Sequence, residues 1–168
     1  METTATILVL TTGGTIDKQY FDALSAYQIT DSVVTKLLEV ARVRHPVRIE
    51  EVLRKDSIDI TEADRAQIVE RVRDARATAI VITHGTDTMT VTAAALAGIP
   101  GKTIVLTGAL APARFSESDA AFNLGMAFAT AQTAAPGVWI AINGSVFRGD
   151  AVVKDRERGC FIPLSRTR

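Results

Sequence analysis

Two short polar runs in this chain hold residue types that could do chemistry. Residues 11–15 read Thr-Thr-Gly-Gly-Thr, and the two glycines let the backbone turn sharply and approach a ligand closely. Such a turn also frees main-chain N–H groups that could form an oxyanion hole beside the hydroxyl of Thr15. The run lacks the third glycine of a dinucleotide fingerprint and the Gly-Lys-Thr of a phosphate loop. It therefore indicates either a hydroxyl that acts on a small ligand or a plain strand-to-helix turn.

The second run, residues 83–88, reads Thr-His-Gly-Thr-Asp-Thr and holds more polar residues than a helix cap requires. Thr86 and Asp87 could cap the next helix or act on a ligand. A threonine hydroxyl is a weak nucleophile that needs a base, and the candidates are Lys154 and His84. A lysine is a base only when neutral, which burial or a nearby cation favours and a nearby carboxylate opposes. By pattern alone, Lys154 is typical of a solvated charge and His84 of a structural histidine, so the base stays open.

Five apolar, β-branched runs predict parallel strands that are covered on both faces. They are residues 6–11, 47–52, 79–83, 103–107 and 138–143. The segments between them predict helices. These helices are expected at residues 31–43 with Asp31 as the cap, after Thr61, at 87–97 and at 117–134.

The alternation of strands and helices predicts an α/β fold, a mostly parallel sheet flanked by helices in a flavodoxin-like, three-layer arrangement. A C-terminal β-hairpin is expected over residues 146–153, turning at Gly149 and Asp150, with an exposed polar loop at 154–159. Ligands of open α/β sheets bind beyond the carboxyl ends of the strands. Both polar runs lie at such ends, as does Ser57, so we expect these residues to converge.

Composition excludes several classes of function. The 168 residues have 19 acidic and 19 basic side chains, and this balance argues against a broad basic surface for nucleic acid. Cys160 is the only cysteine and the chain has two histidines, so neither an internal disulfide nor a metal centre is expected. Residues 1–10 lack a basic n-region, and their apolar run is too short for a signal or a membrane span, so we expect a cytoplasmic protein.

Four runs together resemble the signatures of the bacterial-type asparaginase/glutaminase family. Residues 11–16 (Thr-Thr-Gly-Gly-Thr-Ile) resemble the first signature, and residues 82–89 (Ile-Thr-His-Gly-Thr-Asp-Thr-Met) resemble the second, which is long and specific. Residues 107–112 (Thr-Gly-Ala-Leu-Ala-Pro) are similar to the family's Gly-Ala-x-Arg-Pro loop, with Ala111 in place of the arginine. Residues 119–124 (Asp-Ala-Ala-Phe-Asn-Leu) are similar to its Asp-Gly-x-x-Asn-Leu helix start.

The resemblance implies an amidohydrolase that converts L-asparagine to L-aspartate and ammonia, with no metal or organic cofactor. Thr15 matches the family's nucleophilic threonine, which attacks the amide carbonyl and forms an acyl-enzyme. Tyr27 looks like the flap tyrosine that assists this nucleophile, and Tyr20 in the same segment is the other candidate.

The second signature implies the rest of the site. Thr86, Asp87 and Lys154 resemble the residues that activate the nucleophile or water, and which threonine attacks first stays open. The residues expected to bind the substrate are Ser57, Asp87, Gly14, Gly85 and Ala109. Ile58 stands where many glutamine-using relatives have a polar residue, which favours asparagine over glutamine.

The chain also departs from the family pattern. Family members are usually much longer and have a second, C-terminal domain that adds substrate-binding groups to a neighbouring subunit. We expect residues 1–168 to form a single catalytic domain of the family's N-terminal type, with that C-terminal domain absent. A homo-oligomer, dimer or tetramer, is expected, because the surface that the second domain would cover needs a partner. No nucleic acid or membrane partner is expected.

Two other functions fit the same resemblance. An ammonia-producing amidotransferase subunit would need a partner for transfer RNA chemistry. A non-catalytic amino-acid-binding protein would bind asparagine or aspartate without releasing ammonia. Fold alone does not choose among the three.

Overall fold

The structure is a computed structural model that describes residues 5–164. Ten strands, four α-helices and three short 3-10 helices lie in this part of the chain. The strands are β1 Ile7–Gly13, β2 Lys18–Phe21, β3 Ala26–Ile29, β4 Val47–Lys55, β5 Ala79–Thr83, β6 Thr103–Thr107, β7 Gly137–Ile142, β8 Ser145–Arg148, β9 Val152–Asp155 and β10 Cys160–Pro163. The helices are α1 Val34–Val40, α2 Glu62–Asp74, α3 Met89–Ala95 and α4 Ala120–Thr133. None of these helices is long and apolar enough to cross a membrane.

Six strands form the main sheet in the order β4-β1-β5-β6-β7-β8. The first five run parallel, and β8 is antiparallel to β7. When β2 and β3 are set aside, the parallel strands have the 2-1-3-4-5 order of flavodoxin-like folds. The predicted fold class is confirmed. The strand order reverses between β1 and β5, and this switch point is where such folds bind ligands.

Helices cover both faces of the sheet and complete three layers. Alternate residues of each strand point to opposite faces, so Ile80 and Ile82 meet one core while Val81 meets the other. The first core takes buried residues from α2 and α3, namely Ile68, Val72, Met89 and Ala93. The second takes buried residues from α1 and α4, namely Val34, Leu124, Ala127 and Phe128.

The five predicted strands are confirmed, two of them with the predicted bounds. β5 and β6 coincide with residues 79–83 and 103–107, where three buried aliphatic residues form the centre of each strand. The other three differ by one to three residues at their ends. β4 is the longest strand of the main sheet and lies at its edge, where none of its residues is buried.

Asp31 does not cap α1, so that prediction is wrong. The Asp31 carboxylate pairs instead with Arg54 at 2.6 Å, and the helix begins at Val34. The N–H of Val34, the first residue of the helix, donates to the hydroxyl oxygen of Ser32 at 3.3 Å. The cap therefore lies at Val33, two residues later than predicted, because hydrogen bonds to Asp17 hold Thr30 and Val33 outside the helix.

The C-terminal hairpin is confirmed, but its predicted position is wrong. β9 pairs antiparallel with β10, whereas β8 pairs with β7 in the main sheet. The β7–β8 turn consists of Asn143 and Gly144, both with positive φ, 54° and 73°, the signature of a tight hairpin turn. Gly149 and Asp150 therefore connect two sheets, and Lys154 lies in β9 instead of an exposed loop.

Thr61 opens α2 as predicted, through a capping box with Asp64. The Thr61 hydroxyl accepts from the Asp64 N–H at 3.2 Å, and the Asp64 carboxylate accepts from the Thr61 N–H at 2.8 Å. Thr61→Ala should lower the free energy of unfolding by about 1 kcal/mol, because one helix N–H loses its acceptor. Thr61→Ser keeps that acceptor and serves as the control in urea denaturation. Equal stability of Thr61→Ala and the unaltered chain would contradict the assignment.

Candidate active site

The loops that follow β1 and β5 touch through two glycines. A Cβ atom built on Gly14 would lie 2.5 Å from the main-chain nitrogen of Gly85 and 2.6 Å from its Cα, which no side chain could occupy. Gly14 also has a φ of +87°, a conformation that glycine adopts readily. The contact brings together the loops that carry Thr15 and Thr86, the residues that follow the two glycines.

A third loop, after β4, packs against the other side of Gly85. A Cβ atom on Gly85 would lie 2.7 Å from both Cβ and Oγ of Ser57. Ser57 is fully buried, and its hydroxyl accepts from the N–H of Thr88 at 3.3 Å. The Thr88 hydroxyl in turn donates to the Ser57 carbonyl at 2.7 Å. Ser57 is therefore fixed beside the Thr86 loop, as the convergence of strand ends predicts.

Lys154 lies beside Thr86 and Asp87. Its Nζ is 2.7 Å from the Thr86 hydroxyl oxygen and 2.8 Å from the Asp87 carboxylate. Only 17% of the Lys154 side chain is exposed. The interpretation of Lys154 as a solvated charge, drawn from its sequence pattern alone, is therefore wrong. β9 turns Lys154 inward because its neighbours on the same face of the hairpin, Val152 and the paired Phe161, are buried in the core.

Several cations surround the carboxylate of Asp87. The hydrogen bond from Lys154 lowers the pKa of Asp87 more than partial burial raises it, and the charges of Arg156 and Lys18 lower it further. Arg156 is 4.0 Å from this carboxylate, and Lys18 makes an ion pair with Asp56 at 2.6 Å. Asp87 is therefore charged at neutral pH, and a charged carboxylate can orient Lys154 or accept a hydrogen bond from a substrate ammonium.

His84 is a buried structural histidine, as its sequence context predicts. Its Nδ1 lies 2.7 Å from the Gly85 carbonyl, which can only accept, so Nδ1 carries the proton. Its Nε2 then accepts from the Thr92 hydroxyl at 2.8 Å. Burial lowers the pKa of His84 to about 4, so the ring is neutral at neutral pH. The ring holds the Gly85 carbonyl in place, and both of its nitrogens are already used in hydrogen bonds within the protein.

Tyr20 and Tyr27 face each other across one hairpin. β2 and β3 pair antiparallel, and together with the turn between them form what we call the flap hairpin, residues 18–29. The two tyrosines are directly paired, so both side chains lie on the same face, with ring centroids 5.2 Å apart. Both are about half exposed. The sequence did not predict these strands, and both tyrosines stay candidates for the role beside Thr15.

The loop after β6 is tied to the first turns of α4. The Asn123 amide donates to the Gly108 carbonyl at 2.9 Å, and the Asp119 carboxylate accepts from the N–H groups of Leu110 and Ala111 at 3.0 and 3.1 Å. Ala109 lies in this fixed loop and is buried. Asp119 and Asn123 are four residues apart and therefore lie on the same face of the helix start. The sequence motif that contains them gave no indication that they fix this loop.

Asp17 is a further residue that sequence analysis missed. Its side chain is 1% exposed, and its carboxylate accepts from the Val33 N–H at 2.9 Å. Burial raises the pKa of the Asp17 carboxyl, while the hydrogen bonds from Val33 and Ser32 oppose that change. Its position two residues after Thr15, in a loop expected to bind a ligand, is the sequence feature that could have identified it.

Within residues 5–164, no three His, Cys, Asp or Glu side chains are grouped so that they could bind a metal ion.

Comparison with known proteins identifies the family of this chain. Residues 6–160 match the family model of the asparaginase N-terminal domain. An L-asparaginase of Thermococcus kodakarensis is 34% identical over 167 residues, which cover 91% of this chain and 48% of that protein. A subunit of the glutamyl-tRNA(Gln) amidotransferase of Pyrobaculum aerophilum is 38% identical over 130 residues, 73% of this chain and 31% of that one. The chain thus spans half or less of the length of these relatives.

A solved structure shares the fold of this chain. The thermostable L-asparaginase from Thermococcus kodakarensis superposes with a TM-score of 0.84 at 30% identity, covering 96% of this chain and 52% of that chain.

Gly14→Ala should disrupt the site, because its methyl group would overlap the main chain of Gly85. We expect the free energy of unfolding, measured by urea denaturation, to fall by more than the about 1–3 kcal/mol that left-handed backbone strain costs by itself. Gly98→Ala is the matched control, since Gly98 has a φ of +82° but no atom within 4 Å of its Cβ position. The control carries the backbone strain without the overlap, so equal losses in the two variants would refute the contact as the cause.

His84 should make the fold less stable in mild acid. The folded state resists protonation of His84 until its pKa of about 4, whereas the unfolded chain takes up this proton below pH 6.5. Stability is therefore lost as the pH falls from 6.5 towards 4, by a total of about 3 kcal/mol. Urea denaturation at a series of pH values should show this slope, and His84→Gln should remove most of it. The same slope in the variant would contradict the assignment.

Proposed function

The chain belongs to the asparaginase family, and from this membership we propose that it is an amidohydrolase that converts L-asparagine to L-aspartate and ammonia. The observation that carries the proposal is the position of Lys154, whose Nζ lies within 2.8 Å of both the Thr86 hydroxyl and the Asp87 carboxylate. This group adjoins a loop, Gly14 and Thr15, that is packed against Gly85. A hydroxyl, an ammonium and a carboxylate in this order suit the activation of an oxygen nucleophile.

In the first proposed step, the Thr15 hydroxyl attacks the side-chain amide carbonyl of asparagine. The tetrahedral oxyanion that forms is stabilised by main-chain N–H groups of the loops after β1 and β5, other than that of Gly14, which already donates to the Lys55 carbonyl at 2.9 Å. The carbon–nitrogen bond then breaks, the proton of the hydroxyl ends on the leaving nitrogen, and ammonia departs. An ester between Thr15 and the aspartyl group remains.

In the second step, water attacks that ester. This step requires Lys154 as a neutral amine: the Thr86 oxygen removes a proton from the water and passes its own proton to the Lys154 amine, which Asp87 orients. The Thr15 oxygen takes up a proton as aspartate leaves. The charge of Asp87, sustained by the neighbouring cations, supports its use in holding the substrate's α-ammonium group. Tyr20 or Tyr27 on the flap hairpin would assist Thr15, and the order in which the two threonines act stays open.

The proposed substrate is asparagine, bound with the help of Ser57, Gly14, Gly85 and Ala109. Ile58 follows Ser57 in the third loop and is 66% exposed, so this loop presents an apolar side chain there instead of a hydrogen-bonding group. This supports a preference for asparagine over the longer glutamine. The same proposal takes the chain as one catalytic domain that acts in the cytoplasm as a homo-oligomer.

A second candidate function is an ammonia-producing subunit of an amidotransferase. It is favoured by the 38% identity with the amidotransferase subunit of Pyrobaculum aerophilum. A protein of this kind would release little ammonia alone and more with its partner. Ammonia release from asparagine by the isolated chain therefore discriminates between the two functions, and calorimetric binding without ammonia would indicate a non-catalytic amino-acid-binding protein.

Thr15→Val should abolish ammonia release from asparagine, because valine has a similar shape but no nucleophilic oxygen. A coupled ammonia assay should show a loss on the order of 10³-fold or more. Thr133→Val is the control, since Thr133 is an exposed residue at the end of α4 that bonds only the Ala129 carbonyl four residues earlier. Full activity of a folded Thr15→Val protein would overturn the assignment of the nucleophile.

A further inference from the structure

The flap hairpin has little packing of its own. None of its residues, 18–29, is buried, and the 3-10 turn at its tip, Asp22–Leu24, contributes nothing to a core. A two-stranded hairpin is at best marginally stable in water. Segments with few buried contacts open at low free-energy cost. The position of this hairpin, and of both tyrosines on it, must therefore be set by contacts at its base.

The base of the flap hairpin closes on the carbonyl of Asp17. Thr30 donates to this oxygen twice, from its N–H at 3.0 Å and from its hydroxyl at 3.2 Å. Arg114 donates to the same oxygen from Nη1 at 3.3 Å, and its Nη2 donates to the Asp31 carbonyl at 3.1 Å. One guanidinium thus joins the chain just before the hairpin to the chain just after it.

Arg114 comes from a different part of the fold, the loop between β6 and α4. Two further contacts join this loop to the same region: the Ala113 N–H donates to the Ile16 carbonyl at 3.1 Å, and the ring of Phe115 lies 6.0 Å from that of Tyr27. The loop is fixed in turn by Asp119 and Asn123 of the α4 start. Arg114 therefore connects the hairpin to a loop that α4 holds in place.

An arginine suits this position because it must reach two carbonyl oxygens at once. The guanidinium presents its N–H groups in a rigid fork, whereas lysine has one flexible ammonium. The same loop has Ala111 where the family motif has its arginine, and Arg114 stands three residues further along.

We propose that Arg114 is a positioning residue that holds the flap hairpin, and with it Tyr20 and Tyr27, at the candidate active site. Its part in catalysis rests on the proposed amidohydrolase function, in which one of these tyrosines assists Thr15. Arg114 itself touches neither the substrate nor the reacting atoms. It fixes the geometry of the base from which the hairpin extends.

Amide hydrogen exchange of the whole chain, followed by mass spectrometry of peptides, tests the proposal directly. Arg114→Ala should speed exchange in residues 18–30 by about 5- to 10-fold and leave the strands of the main sheet unchanged. Arg114→Lys should show an intermediate effect, because one ammonium can satisfy one carbonyl. The matched control is Arg148→Ala, which removes an exposed arginine of β8 that pairs with Asp150 and lies over the Trp139 ring.

Ammonia release from asparagine is the second measurement. In Arg114→Ala, kcat/KM should fall by about 5- to 10-fold, with partial rescue by lysine and no change in Arg148→Ala. The proposal is overturned by unchanged exchange in residues 18–30, by equal acceleration along the whole chain, or by faster hairpin exchange with full activity. If the unaltered chain releases no ammonia, the proposed function fails, while the exchange data still decide whether Arg114 holds the hairpin.

Discussion

The site depends on one steric constraint, the contact between the main chains of Gly14 and Gly85. β1 and β5 are neighbours at the switch point of the sheet, so the loops that follow them leave the same edge side by side. Neither loop has a Cβ atom at the point of contact, and the backbones can therefore touch. Ser57 fills the other side of Gly85. Three chain segments that are distant in sequence thus meet within a few ångströms.

The ammonium group of the candidate site comes from a residue outside the parallel strands of the main sheet. Lys154 lies on the C-terminal hairpin, whose residues Val152 and Phe161 anchor it in the core below the site. The ammonium that results is held between a hydroxyl and the carboxylate of Asp87. Because a half-buried ammonium is costly unless it is paired, the same contacts that satisfy Lys154 also fix its position. Packing of the hairpin and electrostatics of the site support each other.

The flap hairpin contrasts with this firm base. Residues 84–88 and the loop after β6 are held by buried hydrogen bonds of His84 and Asn123, whereas residues 18–29 have no buried side chain. The fold therefore combines loops that buried hydrogen bonds hold in place with a hairpin that has no buried side chain. Arg114, Thr30 and the carbonyl of Asp17 form the junction between the two. A segment built in this way can reposition at low free-energy cost while the loops keep their geometry.

The sequence by itself determined the five parallel strands of the main sheet, the helical segments between them and the residues at the carboxyl edge. Buried strands such as 79–83 and the Thr61 cap follow from local composition, and the paired polar runs mark the ligand edge because parallel strands end together. Only the tertiary structure decided that Lys154 turns inward, that Asp31 pairs with Arg54, and that Arg114 joins both ends of the flap hairpin. These contacts link residues from 23 to 97 positions apart. A local pattern fixes only a segment's own periodicity, whereas long-range partners depend on how separate elements pack.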